Sequence, residues 1–446
     1  MAHTLHRRDL LRSAAALAAL PALGSWPSMG PRASKGWAND RLRTAHIGVG
    51  GMGGADLGAI ASHPRVEVAA LCDVDAGFLE RARQAHPGAT PYRDYRELLA
   101  ALGDTIDAVV VSTPDHTHAP AALGALVQGK PVYCQKPLTH RVWEARRLRE
   151  EAATRGVPTQ MGIQIQSHAV YRRALRIVQD GMLGKVSRVY AWSNKNWGYD
   201  GPRLVNASAP PESLDWDLWL ASAAQRPYVP GVYHPGQWRK LLDFGTGTLG
   251  DMGVHIFATP FLALDLGAPS TVATRCRPPT GYGHPERVHV EYSFPGTRYT
   301  TDTLTWIWSD GGDAVPTPAE LGLPDDTRVP GQGSCFIGEE GTLLLPHIAE
   351  GQLYPVERFA DRELPVVTEG NHYHEWVDAC LGDGHTVAGF DIAGRLTEAL
   401  LLGVVAARFP DRSLRWDAGS FRFPDVPEAT PYLRGTYRPG FGGPGL

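Results

Sequence analysis

The stretch Thr44-Ala45-His46-Ile47-Gly48-Val49-Gly50-Gly51-Met52-Gly53 decides the fold. Thr44 to Val49 reads as a short apolar strand, and Gly54 to Ser62 after the glycines reads as a helix. Between them the spacing is G-x-G-x-x-G, which lets backbone N–H groups at a helix amino end approach a pyrophosphate. Val66 to Cys72 is a second strand and ends at Asp73, about 20 residues beyond the glycines. A carboxylate there accepts from the ribose hydroxyls of a dinucleotide and repels a 2′-phosphate. Asp75 doubles the negative charge, so NAD is expected in preference to NADP. Gly48, Gly50, Gly51, Met52, Gly53 and Asp73 are the first candidate cofactor-binding residues.

Working outward, strands and helices keep alternating. Tyr95 to Leu102 reads as a helix, and Ile106 to Val111 as a strand that runs into Ser112-Thr113-Pro114. Asp115-His116-Thr117-His118 is expected to be a loop before a helix over Pro120 to Gln128. His116 and His118 have no third ligand near them in sequence, so no metal site is expected. The next strand, opening at Val132 and ending at Cys134, delivers Lys136-Pro137-Leu138 to the carboxyl edge, where parallel sheets bind ligands. A lysine there can donate to a substrate oxygen or move protons. Thr113 and Pro114 reach the same edge and are placed beside the nicotinamide ribose. A charged helix, His140 to Arg155, and a strand, Pro158 to Ile163, complete a doubly wound parallel sheet over 42–163.

From Gln164 the pattern changes. After an amphipathic helix, Val170 to Gln179, the stretches Val186 to Trp192, Thr271 to Arg277, Arg287 to Phe294 and Tyr299 to Trp308 read as strands. This predicts an α+β second domain, 164–430, on an open and mostly antiparallel sheet, with a tail over 431–446. Its chemistry gathers in Phe244 to His255, where a helix is expected to carry Asp251 and His255 at i and i+4 on one face. Lys195, His234, Trp238 and Arg239 are candidate substrate contacts, since indole faces and cationic donors suit a carbohydrate. His372 to His374 reads as the exposed start of a helix, and the Pro- and Gly-rich stretch after Trp416 as a surface wrap.

Composition narrows the classes. The chain has 446 residues, 43% of them hydrophobic, and a net charge of 43 − 47 = −4, which leaves no basic stripe for nucleic acid. The five cysteines are scattered and imply neither a metal set nor a disulfide framework. Arg7-Arg8 followed by the apolar run Ser13 to Leu23 is similar to a twin-arginine export signal, so residues 1–35 read as signal and linker. The run is too short to span a bilayer. A periplasmic or secreted protein follows as the expectation. Because that compartment is not expected to supply NAD, tight retention of a cofactor loaded before export is expected too.

The motifs G-x-G-x-x-G, Asp73, Ser112 to His118, Gln135-Lys136-Pro137-Leu138 and Gly250-Asp251-Met252-Gly253-Val254-His255 together resemble the glucose–fructose oxidoreductase/inositol dehydrogenase (Gfo/Idh/MocA) family. The resemblance implies an NAD-dependent oxidoreductase for a secondary hydroxyl of a sugar, glycoside or cyclitol. It implies His255 as general base, Asp251 as the group that orients it or binds a neighbouring hydroxyl, Lys136 as the group that stabilises the developing oxygen charge, and His118, Gln135 and Lys136 beside the cofactor. It also implies a cis bond before Pro137 and a homodimer or homotetramer. The chain departs from the family at Gln135, where glutamate is usual, and this admits a non-catalytic sugar-binding protein. A glycosidase working by transient C3 oxidation and elimination is the other alternative.

Overall fold

The computed structural model describes residues 41–446 apart from residue 102, and the expected export signal lies outside the described residues. The first sheet is built from β1 (Leu42–Ile47), β2 (Val66–Cys72), β3 (Thr90–Tyr92), β4 (Ala108–Val111), β5 (Val132–Gln135) and β6 (Thr159–Gly162). All pairings are parallel, in the order β3-β2-β1-β4-β5-β6. The order reverses between β1 and β4, so the loops leaving these two strands border a crevice at the carboxyl edge. The central strands are buried on both faces, which is why β4 is the unbroken run Ala108-Val109-Val110-Val111.

One local expectation fails. Asp115 to His118 do not form a loop: they are the buried first turn of a helix running Asp115–Leu126. Pro120 looks like a helix start because its ring lacks an N–H. In the folded chain the carbonyl that this N–H would have served, that of His116, accepts instead from Ser222 Oγ at 2.9 Å. The helix therefore runs through the proline without an orphaned acceptor.

The second sheet contains β7 (Val186–Ser193), β8 (Thr271–Arg275), β9 (Val288–Pro295), β10 (Thr300–Asp310), β11 (Gln332–Gly338), β12 (Thr342–Pro346), β13 (Gln352–Tyr354) and β14 (Ser413–Arg415). Its order is β13-β12-β11-β7-β10-β9-β8-β14, antiparallel except for the central β7–β10 pair. In β9 and β10 buried residues alternate with half-exposed ones, so one face takes the helices while the other stays open. The helices Ala169–Gln179, Val254–Ala263 and Phe390–Ala406 cover the inner face.

The carboxyl-terminal helices do not stay with the second sheet. Phe390–Ala406 also lies along Val142–Arg155 of the first unit, where Arg146 meets Glu398 at 2.5 Å. The helix His372–Leu381 packs against Met52–Ala61. His372, expected at the surface, is consequently buried: its Nε2 meets the Met161 carbonyl at 3.1 Å, and its Nδ1 meets Ser167 Oγ, also at 3.1 Å. All five cysteines are free.

Candidate active site at the junction of the two sheets

A cavity of about 270 Å³ opens at the crevice predicted from the strand order. The glycine loop, Cys72, Asp73, Ser112, Thr113, Pro114, Gln135 and Lys136 form its wall from the first unit. The loop fits a dinucleotide backbone because it has no room for side chains of its own. A Cβ on Gly53 would lie 2.2 Å from the Gly48 carbonyl, and Gly48 sits at φ 83° with its would-be Cβ 2.6 Å from the Ser112 carbonyl. Asp73 buttresses this loop: its Oδ2 accepts from Val49 N at 2.9 Å and its Oδ1 from Asp75 N at 2.9 Å. Burial raises the Asp73 carboxyl above its ordinary range, against the pull of these two N–H groups.

The opposite wall comes from residues 213–243 and the tail. Leu218, Trp219, His234, Pro235, Trp238, Arg239 and Phe441 line it. The segment is stitched to the first unit by backbone bonds from Ala76 N to the Ser213 carbonyl and from Asp215 N to the Val74 carbonyl. The tail is held by Arg438, which meets Asp217 Oδ1 at 2.5 Å, and by Arg96, which donates to the Gly440 carbonyl at 2.9 Å. His234, expected at the substrate, lies instead at the nucleotide end, its Nε2 3.1 Å from Asp75 Oδ2. Three further imidazoles anchor this crosspiece, residues 213–243, and the turn that follows it. His116 Nε2 meets the Trp219 carbonyl at 3.2 Å, His140 Nε2 lies 3.1 Å from the carbonyls of Leu242 and Gly245, and His284 Nε2 meets the Gly245 carbonyl at 2.8 Å. Burial holds all three below the ordinary histidine range, His116 at about 4 and His284 at about 3.

Beside Lys136 and Arg239, which line the cavity, the two units meet chemically, while Asp251, His255 and Lys195 lie behind its wall. Lys136 Nζ donates to Asp251 Oδ1 at 2.8 Å and to the Asp251 carbonyl at 3.0 Å. Arg239 Nε donates to the same Oδ1 at 3.1 Å. Burial opposes ionisation of Asp251, but the two cations prevail and hold its carboxyl at about 2. The Lys136–Pro137 bond is cis, as expected.

Asp251 does not hold His255. Leu249–Gly253 forms a wide π-type turn before the helix Val254–Ala263, so these two side chains do not have the i, i+4 relation of a regular helix. Asp251 turns to Lys136 and Arg239, while His255 Nδ1 is buried with no partner among the described residues. Burial, then the Lys136 charge, pushes His255 well below the ordinary histidine range. The ring is therefore neutral near pH 7, the state a general base needs. Lys195 approaches from β7, its ammonium 3.5 Å from Met252 Sδ.

His118 has a different part from that expected, whereas Gln135 stands on the cavity wall and has a second contact besides. His118 lies off the cavity wall, with Nδ1 2.9 Å from the Pro137 carbonyl and Nε2 2.8 Å from the Thr113 carbonyl. It is a strut between two cavity loops, and burial lowers it to about 4. Gln135 lines the cavity and donates from Nε2 to both oxygens of Asp56, at 3.0 and 2.9 Å, while Oε1 accepts from Lys136 N at 3.0 Å. Asp56 also accepts from Ser112 Oγ at 2.6 Å and Tyr373 OH at 3.2 Å, and burial raises it to about 6.

Asp56 escapes sequence reading, although an acid amid the small apolar residues of Met52–Ala61 is the signal that marks it. Phe78, Arg93 and Phe441 also line the cavity without a motif to reveal them.

Comparison with known proteins agrees with this geometry. Residues 42–163 match the sequence model of the Gfo/Idh/MocA oxidoreductases described as an NAD-binding Rossmann fold, and residues 168–284 match that of the same family's C-terminal alpha/beta domain. Inositol 2-dehydrogenase of Rhodococcus jostii is 34% identical over 151 residues, 33% of this chain and 40% of the relative. An alpha-N-acetylgalactosaminidase of Shewanella oneidensis is 28% identical over 211 residues, 41% of this chain and 45% of the relative. The chain thus matches less than half the length of these curated relatives. An NAD-binding protein from Listeria innocua has the same fold, with TM-score 0.59 and 16% identity over 84% of this chain and all of the other.

Proposed function

Since the chain belongs to the Gfo/Idh/MocA oxidoreductase family, its two family models together spanning more than half of it, we propose that it is an NAD-dependent oxidoreductase acting on a secondary hydroxyl of a sugar, glycoside or cyclitol. The observation that carries this reading is the bond from Lys136 Nζ, on the cavity wall, to Asp251 Oδ1 at 2.8 Å, with the neutral His255 close enough to feel the same ammonium. NAD, when bound, supplies a reversible hydride acceptor.

The glycine loop and the amino end of Met52–Ala61 hold the pyrophosphate, and Asp73 takes the ribose hydroxyls. Thr113, Pro114 and Gln135 border the nicotinamide end. His255 takes the proton of the substrate hydroxyl on its imidazole as the carbon–oxygen bond gains double-bond character. Lys136 donates to that oxygen and stabilises the charge it carries in the transition state. Asp251 and Arg239 fix the direction of the Lys136 ammonium. The crosspiece and Phe441 close the nucleotide end, which favours a cofactor held through many turnovers.

The test is mass spectrometry of nucleotide released from purified protein, followed by cofactor fluorescence with a panel of sugars and cyclitols. NAD released and reduced by at least one class is the expected result. NAD that no sugar or cyclitol reduces, together with sugar binding, would mean a binding protein.

A second reading is favoured by the likeness to the alpha-N-acetylgalactosaminidase. In it, oxidation at C3 acidifies the C2 proton, elimination expels the aglycone, and water addition and re-reduction return the cofactor unchanged. Solvent deuterium at C2 of the released sugar separates this from net oxidation. We further propose twin-arginine export to the periplasm or medium, and association into a homo-oligomer through the open face of the second sheet.

A further inference from the structure

The oxidoreductase reading leaves the identity of the substrate open, and the charges around His255 narrow it. Asp251 contributes one negative charge, which Lys136 and Arg239 already share. Lys195 adds a third cation on the same side: its Nζ touches only the Met252 thioether, at 3.5 Å, and no carboxylate of the described residues lies within ion-pair distance. A thioether is a weak acceptor and neutralises no charge.

Arg239 is poised rather than spent. Its guanidinium carbon lies 4.3 Å from the centre of the Trp238 ring and 5.5 Å from that of Trp197. Nε is used on Asp251 and Nη1 reaches the Gly236 carbonyl at a long 3.4 Å. Nη2 has no partner among the described residues, and the side chain is 26% exposed. A planar donor packed against indoles loses little freedom when it binds an oxyanion. Asp115, a second acid that feels Arg239 and Lys136, is buried, accepts from Thr246 Oγ1 at 2.8 Å and is pushed up to about 7 by burial, so it offsets their charge only in part and Lys195 is not among its partners.

From this unbalanced set we propose that the substrate carries an anionic substituent, a carboxylate, sulfate or phosphate on the sugar, which Lys195 and Arg239 bind beside His255. The charge balance then bears on catalysis as well as affinity. The Lys195 ammonium lowers the basicity of His255 and of the neighbouring His347, whose Nδ1 is bonded to Tyr171 OH at 2.9 Å. An anion that neutralises Lys195 restores basicity to His255 as it binds. Neutral sugars leave that ammonium uncompensated.

The experiment uses the protein as purified with its nucleotide. Quenching of the tryptophans flanking Arg239 is titrated with methyl glucuronide, glucose 6-sulfate, glucose 6-phosphate and methyl glucoside, at low and high salt. At least one anionic probe is expected to bind about tenfold tighter than methyl glucoside, with the advantage shrinking in high salt. Lys195→Gln, a substitution of an exposed side chain, is expected to remove most of that advantage; which anion gains most identifies the substituent. Equal affinity for all four probes, or an advantage that survives Lys195→Gln, overturns the proposal. Reduction of NAD by neutral and anionic sugars with equal efficiency would sink it while leaving the oxidoreductase reading intact. Tight anion binding that depends on Lys195 without any NAD reduction would do the reverse.

Discussion

The Gln135 side-chain amide donates to both carboxylate oxygens of Asp56, across 79 residues of sequence and at the cavity wall. A carboxylate thus stands one side chain beyond the residue that precedes the lysine. Gln135 therefore reads as half of a matched pair, and its carbonyl oxygen remains turned toward the backbone N–H of Lys136.

A swap tests that pairing. Gln135→Glu alone sets two carboxylates face to face and is expected to destabilise the fold by about 1–3 kcal/mol. Asp56, raised to about 6, already contributes stability that is complete below its unfolded value and is lost as pH rises through about 6. The single variant should extend that loss to higher pH. Gln135→Glu with Asp56→Asn restores a donor–acceptor pair and should recover most of the melting temperature, read by thermal denaturation at pH 5 and pH 8.

His255→Ala and Lys136→Met are each expected to lower kcat by about 10²–10⁴-fold while nucleotide stays bound. Since His255 is held well below the ordinary histidine range, the acid limb of kcat/KM in the wild type should lie below pH 6.5. A limb centred at or above that value would remove His255 from the role of base.

Acid should unfold the protein through its buried imidazoles. His116, His140 and His284 are depressed in the folded state. Their contribution is present above the unfolded value near 6.5 and is lost as pH falls toward about 4. Substituting His284→Gln removes one such group, and the slope of stability against pH in that window should become shallower by about one proton.

Asp73→Ser should relax the preference for NAD. Removing the carboxylate removes its repulsion of a 2′-phosphate, so NADP affinity should rise by about tenfold or more while NAD affinity falls. Equilibrium dialysis against each nucleotide reads both changes. Some stability is lost as well, because Val49 N and Asp75 N each lose an acceptor.

Ending the chain after Leu433 removes Arg438 and Phe441, and with them the tail that closes the nucleotide end. Nucleotide should then leave during gel filtration at least about tenfold faster than from the full chain. An unchanged rate would assign retention to the crosspiece alone.

The sequence-legible parts were those with local causes. Strand-loop-helix chemistry around Gly48 to Gly53 and the run into Lys136 are set by neighbours in sequence, and both stand where expected. Illegible were features whose cause lies far along the chain. Asp115 to His118 are helical because Ser222, more than a hundred residues away, serves the His116 carbonyl. His234 turned to Asp75 because the crosspiece pairs with the turn after β2, Leu214 bridging to Asp75, a packing that no motif encodes. Asp251 left His255 because a π-type turn altered the helical spacing, and Lys136 and Arg239 supplied two charges where an imidazole offered one hydrogen bond.

The helix Phe390–Ala406 lies between the two sheets as a common beam, pinned to Val142–Arg155 on one side and to Val254–Ala263 on the other. Neither half can be excised as a fragment without stripping apolar surface from the remainder. Calorimetry of the intact chain should accordingly register one endotherm, and a gene cut after residue 163 should yield insoluble product.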